Sequence, residues 1–378
     1  MSDFKFISRL ERDVESFMAG LKKTDAPGRY FSCASGQTRH GARFELGTSC
    51  FALKIFYTFG WWKLLSNDEQ KEWIRYIESF VLPEKTDYSL FIGAYADKTL
   101  LNYLSTPSLS RSITSARLSP LHKLYKIKVF KHDDKAIEAA VLAETKQVLA
   151  ACHDLESKVE CKFNNFPRSS AEINRKLLSQ DWSMPWAAGG LAACQAVFVS
   201  VLERDPEVRS QAQQAMSEFY DSIADPKTGG YFLGVRPNQR MLVNGAMKVL
   251  TALDWLGATI HYPERLIDRV LEGLPSSKGC DLVDAVYVLY QCSLVSHYRH
   301  QDVKVFLTNC LKLIEGHRQR DGGFSYSKHK AQKWYYGMPI SKGYREGDMH
   351  GTVLLIWALS MIIKVIEPDR FDWKIIRP

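Results

Sequence analysis

Apolar residues recur along this chain in two textures. In Asp68 to Phe80, Val208 to Ile223 and Val303 to Gly316 they fall at helical spacing and leave a charged face. In Leu191 to Leu202, Ala246 to Leu256 and Val353 to Ile363 they run almost all the way round. The first texture predicts surface helices and the second predicts helices buried on most of their circumference. The two alternate: Gly41 to Gly60 holds an apolar helix that precedes Asp68 to Phe80, and a helix running through Leu294 precedes Val303 to Gly316. An opening helix from about Phe4 to Leu21 ends at Pro27-Gly28, and Ile137 to Leu155 supplies a further outer or inner helix.

Helix starts near Gly190, Gly245, Ala285 and Gly351 are separated by roughly 40 to 65 residues, the length of one helical hairpin with variable loops. Strand signals are scarce. The expected fold is all-α, an (α/α) toroid of about five to six helical hairpins with one apolar helix of each pair facing inward. Phe163 to Pro167 reads as a break between an N-terminal half (about 1–165) and a C-terminal half (about 166–378). No linker composition separates the halves, so residues 1–378 are expected to form one domain.

If the inner helices point the same way, their first turns pool polar groups that are distant in sequence. The rim then collects Glu45, Asn244, Asp281, Asp284, Asp348 and His350, with Arg240, Lys278 and Arg345 nearby. Carboxylates gathered in an apolar cavity raise one another's pKa, which keeps a carboxylic acid protonated and able to donate. Asp348 has an equally good reading as the N-cap of its helix. His350 is disfavoured as a cation at a helix N-terminus and can serve there as a neutral base or polariser. Trp61, Trp62, Trp182, Trp186, Trp334, Tyr335 and Tyr336 are candidates for aromatic faces, with ordinary core as the alternative. The segment Lys328 to Arg345, rich in Lys, Tyr, Trp and Gly, reads as a lid or as a plain surface excursion.

Composition narrows the classes. Hydrophobic residues make up 46% and charged residues 24%, so a packed globular chain is expected. The longest apolar run, Val353 to Ile363, is short of the roughly 20 residues of a membrane span. The start Met1-Ser2-Asp3-Phe4-Lys5 lacks a signal peptide's apolar core, so a cytoplasmic protein is expected. Eight scattered cysteines without a CxxC pair read as reduced core residues. A net charge of +8 admits nucleic acid, an anionic membrane surface or an anionic small substrate. The basic residues approach a cluster only at Leu121 to Lys128, and no nucleic-acid-binding signature stands out, so nucleic acid is not expected as a partner. Peripheral membrane contact stays open, and so does the oligomeric state.

The turn Gln319-Arg320-Asp321-Gly322-Gly323-Phe324, its relative Thr228-Gly229-Gly230-Tyr231-Phe232 and the hairpin periodicity resemble the repeats of squalene cyclases and of protein prenyltransferase beta subunits. Leu282 to Tyr287 is similar to the prenyltransferase segment that carries a zinc-binding Asp and Cys, and Asp348 to Thr352 to the one that carries the zinc-binding His. Asp284 and His350 fill two of those positions, but Val286 stands where the Cys belongs, so no metal or other cofactor is expected. By the same resemblance Lys278 and Tyr287 fall at diphosphate-binding positions, while Asp281 replaces a basic residue. Asp281-Leu282-Val283-Asp284 also departs from the DxDD acid motif of class II terpene cyclases.

The resemblance implies a terpenoid cyclase-like enzyme acting on an isoprenoid or other apolar, possibly diphosphate-bearing substrate by proton-initiated chemistry. In that reading Asp284, Asp348, Asp281 and Glu45 are the candidate acids and His350 the orienter or acceptor. Asn244, Lys278, Tyr287, Arg240, Arg345, Trp186, Trp334 and Tyr344 are the candidate substrate contacts. A carbohydrate-active hydrolase, lyase or epimerase is the alternative, with Trp182 and Trp186 stacking on sugar and His350 with Tyr344 doing acid/base work. A non-catalytic helical scaffold is the third. An apolar cavity with one anion-binding patch favours the first reading, a polar groove lined by Trp the second, and a filled centre the third.

Overall fold

The computed structural model describes residues 5–106, 134–155, 157, 159–277 and 279–378. The basic cluster Leu121 to Lys128 and the candidate Lys278 lie outside the described residues. The fold is all-α. In chain order its helices are α1 (Leu10–Leu21), α2 (Leu46–Thr58), α3 (Asn67–Glu78), α4 (Lys98–Ser105), α5 (Asp134–His153), α6 (Ser170–Leu178) and α7 (Pro185–Leu202). They continue with α8 (Pro206–Ile223), α9 (Gln239–Leu256), α10 (Pro263–Leu271), α11 (Gly279–Val295), α12 (His300–Glu315) and α13 (Met349–Ile366). A small hairpin, β1 (Trp334–Tyr335) with β2 (Met338–Pro339), precedes α13.

Local chemistry sets the boundaries. Ser66 and Glu69 form a capping box on α3, and Ser169 with Glu172 forms one on α6. Asp205 caps α8 ahead of Pro206, Asn238 caps α9, and Gly257 ends α9 in the left-handed region. The opening helix starts later than the apolar spacing predicts, because Ile7–Arg9 is a 3₁₀ turn that leads into α1.

Helix contacts follow the two textures. The apolar helices pack in a cycle: α2 on α5, α5 on α7, α7 on α9, α9 on α11, α11 on α13, and α13 back on α2. The amphipathic helices lie against them, α3 on α2, α4 on α5, α8 on α7, α10 and α12 on α11. The tightest neighbours, α7 and α9, approach through Gly189 and Gly245. A Cβ at Gly245 would stand 2.7 Å from the Pro185 side chain, and one at Gly189 would stand 2.8 Å from Lys248. One contiguous core cluster runs from Phe6 to Ile376.

Two of the inner helices, α7 and α13, are long and apolar enough to cross a membrane by length and composition. The run of apolar residues understated them, because helix continues past the polar positions at their ends. Both are mostly buried inside the fold, 61% and 72% of their residues, so their apolar surface is already used.

The ends of the inner helices are organised differently. Beyond α13 the chain doubles back as a strap across the C-terminal ends. The Lys374 amide donates to the Thr58 carbonyl at the end of α2, and the Arg377 amide donates to Asp154 just past α5. Trp255 near the end of α9 donates its indole N–H to the Pro378 carbonyl, and Trp357 of α13 donates to that of Ile376. Ends of α2, α5 and α9 therefore share one face. At the opposite face Asp97 ties first turns together, accepting the amides of Glu45 and Leu46 with one oxygen and that of Thr99 with the other.

The motif Gln319 to Phe324 serves this packing. Gly322, at φ +92°, lies so close to α1 that a Cβ would meet the Asp13 carbonyl at 2.2 Å. Asp321 accepts the amides of Gly323 and Gly347 and fixes the approach to α13. Its glycines are needed for proximity to a neighbouring helix.

Candidate functional site

Asp348 resolves as the N-cap. Its carboxylate accepts three backbone amides, Gly351 at 2.7 Å, Tyr326 at 2.7 Å and Gln332 at 3.0 Å. Burial pushes it up to about 7 against the pull of those amides. With its oxygens committed to backbone N–H groups it holds the entry to α13, the capping role that was one of its two sequence readings.

His350 is the second residue of α13 and lies between two rings. Phe51 of α2 stacks on one face with centroids 4.6 Å apart, and Tyr326 lies on the other at 5.3 Å. Its Nδ1 is 2.9 Å from Gln332 Oε1. The Gln332 amide is oriented by its other end, where Nε2 donates to the Trp334 carbonyl at 3.0 Å. An oxygen facing Nδ1 requires the proton on Nδ1, so Nε2 carries the free lone pair. Burial, helped by Lys248 and Lys54, lowers the imidazole pKa to about 3. At neutral pH this is a neutral base of fixed tautomer.

Asp284 is the buried acid. One carboxyl oxygen has no hydrogen-bond partner, and burial pushes its pKa up to about 7, offset in part by Lys248. Trp186 of α7 lies against it, with Lys248 over the indole at 5.8 Å. Cys280, one turn earlier on α11, bonds the Tyr326 hydroxyl at 2.8 Å. The set Asp284, Tyr326, Lys248 and His350 thus gathers α9, α11, α13 and the strand-like segment before α13 around one point.

Three lysines point to the same place from the middles of inner helices. Lys54 lies on α2, Lys146 on α5 and Lys248 on α9. Lys54 and Lys248 both act on Lys146 and on His350. Among the described residues none of the three forms a salt bridge, and Lys54 reaches only the Gln147 side-chain oxygen at 3.5 Å. Burial lowers Lys54 to about 8 and Lys146 to about 7.

The β1–β2 hairpin supplies the last group. Its two-residue turn, Tyr336-Gly337, has φ +45° and +80°, the positive pair that a tight hairpin demands and that costs a tyrosine about 1 kcal/mol or more. Tyr336 is influenced by Cys194 of α7, Glu144 of α5 and Cys280 of α11, yet 44% of its surface stays accessible. A ring with neighbours on three inner helices and so much open surface stands in a central hollow. Beside it Tyr335 is buried next to Glu144, whose carboxyl burial pushes well above the usual range.

The segment Lys328 to Arg345 is bound along its length. The Thr38 amide donates to the Ile340 carbonyl and that of Lys342 to the Gly36 carbonyl, while the Ala331 amide donates to the Tyr344 carbonyl. It is a fixed insert that lowers Tyr336 into the hollow, where the sequence left lid and surface excursion open.

Other candidates fall elsewhere. Glu45 pairs with Lys23 at 3.2 Å on the outside of the first turn. Asp281 is closed within its own cluster, accepting from Arg240 at 2.9 Å, Asn244 at 2.8 Å and the Ser276 hydroxyl. These bonds lower its pKa against the cost of burial, which leaves no proton for acid work at neutral pH. Tyr287 is core, packed on Trp357 at 5.2 Å. Arg345, Tyr344 and Trp334 are exposed, Tyr344 under Lys342. Trp62 and Trp182 are buried core, and Trp61 packs on Phe56 and Phe59. Among the described residues no group of three or more His, Cys, Asp or Glu is placed to hold a metal ion.

No family model and no curated protein matches this sequence. Among solved structures, the chain is similar to a polysaccharide lyase at TM-score 0.48 and 10% identity, over 99% of this chain and 100% of that one. A likeness of that degree says nothing by itself about what this chain does.

Proposed function

We propose that this chain is a carbohydrate-active acid/base enzyme that cleaves sugars bearing a carboxylate by β-elimination. One observation carries the reading: a neutral imidazole of fixed tautomer, His350, shares a hollow with lysines that form no salt bridge among the described residues. Such a pairing suits a proton that becomes acidic only when a neighbouring anion is neutralised. In a uronide the hydrogen at C5 is of that kind. Lys54 and Lys248 neutralise the C6 carboxylate, and His350 Nε2 takes the C5 proton. The C5 electron pair forms the C4–C5 double bond, the C4–O4 bond breaks, and O4 takes a proton from the Tyr336 hydroxyl. Trp186 offers a face for a sugar ring at the same place.

The isoprenoid reading asks for an apolar cavity with an acid at its rim. Asp284 meets the second demand, but cations at mid-height in three inner helices disfavour an uncharged hydrocarbon and leave that reading only its diphosphate-bearing substrate. The test is incubation with uronic-acid polysaccharides, followed by the ultraviolet absorbance of the unsaturated product. The expected result is product from at least one polymer, with His350→Ala slowing turnover by about 100-fold or more. Absence of unsaturated product from every polyuronate, or full activity in His350→Ala, overturns the proposal; turnover of a prenyl diphosphate would restore the isoprenoid reading.

A further inference from the structure

The three central lysines are not equivalent. Each of the outer two has an acid within electrostatic reach, Asp154 for Lys54 and Asp284 for Lys248. Among the described residues the group that acts to raise Lys146 is the Cys194 thiol, and burial holds that thiol protonated and uncharged. Glu144, two residues away on α5, is turned aside, one oxygen accepting the Asp97 amide and the carboxyl lying against Tyr335. Three enclosed ammonium groups without a matching set of anions do not all stay charged, and the proton leaves where support is weakest. Lys146 is that place, and its lowered pKa agrees. It keeps accessible surface within the hollow, so the neutral amine faces open space.

A neutral amine flanked by two cations is an arrangement that activates lysine as a nucleophile toward carbonyl carbon. We propose that Lys146 is an imine-forming lysine, and that the hollow takes an aldehyde or ketone bearing an anionic group, which Lys54 and Lys248 hold. Lys146 Nζ attacks the carbonyl carbon and the C–N double bond forms. The carbonyl oxygen leaves as water with the two protons of the amine. The inference goes beyond elimination and stands on the lysine cluster alone.

Trapping tests it without any turnover. Intact protein is incubated at neutral pH with pyridoxal 5′-phosphate, which joins an aldehyde to a dianion, then reduced with borohydride and mapped by mass spectrometry. Lys146 is expected to acquire the reduced adduct about a thousandfold faster than exposed lysines, given the difference in neutral fraction. Inorganic phosphate should slow the labelling, and so should Lys248→Gln in protein whose helical circular dichroism is unchanged. An adduct spread over surface lysines with Lys146 unmodified overturns the proposal, as does a labelling rate indifferent to both phosphate and Lys248→Gln. A protein that eliminates without being trapped refutes this inference alone; one that is trapped without eliminating refutes the proposed function alone.

Discussion

Gln332 holds His350 by its Nδ1, with 2.9 Å between the amide oxygen and the ring nitrogen, and is itself held by the Trp334 carbonyl. The imidazole therefore presents one defined nitrogen to the hollow. Replacing Gln332 with Leu should free the tautomer and lower kcat on a polyuronate by about 10-fold or more with little change in KM. A change confined to KM would mean that Gln332 contacts substrate and does not orient the base.

His350 also gives the fold an acid-sensitive element. Its folded pKa, about 3, lies below the ordinary value of 6.5, so between those values the unfolded chain binds a proton that the native one refuses. Stability contributed by the neutral ring is present above about pH 6.5 and is lost as pH falls toward 3. His350→Gln should flatten the dependence of Tm on pH across this window, and an unchanged slope would place the acid sensitivity elsewhere.

Asp284 has the opposite sign. Its folded pKa, about 7, is raised from 3.8, so its stabilising contribution is full below about pH 3.8 and lost as pH rises through 7. Asp284→Asn should match the parent near pH 3.5 and exceed it at pH 8 by about 1–3 kcal/mol in denaturant melts. Equal stability at pH 8 would mean that the carboxyl finds compensation on ionising.

Gly245 tests the approach of α7 and α9. A methyl there would stand 2.7 Å from Pro185, and overpacking of this kind costs about 1–3 kcal/mol. Gly245→Ala is expected to lower Tm accordingly, whereas Gly190→Ala, with open space around it, should be neutral or stabilising.

The strap makes a fifth target. Trp357→Phe removes the indole N–H that the Ile376 carbonyl accepts, leaving a buried acceptor unpaired at about 1–3 kcal/mol. Amide exchange should rise at Lys374 and Arg377, whose N–H groups the same strap commits to α2 and to Asp154.

What the chain disclosed and concealed follows from periodicity. The alternation of all-apolar and amphipathic runs marks inner and outer helices, because burial on all sides and burial on one side leave different residue patterns. The capping role of Asp348 was legible too, from an acid just ahead of an apolar run. The lysines were not, because they sit in mid-helix, away from the helix starts where polar groups pool. Lys54 in Cys50 to Phe56 and Lys248 in Ala246 to Leu250 were the available signal, since a charge in mid-helix within a buried run needs an explanation. Tyr336 was legible as a candidate aromatic face, but its placement was not. Strands of two residues have no alternation to detect, so the tight turn that aims the ring read as loop.

The strap has a last consequence. Because it is tied to the far ends of α2, α5 and α9, it acts as a hoop that couples helices distant in sequence, so loosening one of those ends should be felt at the other two.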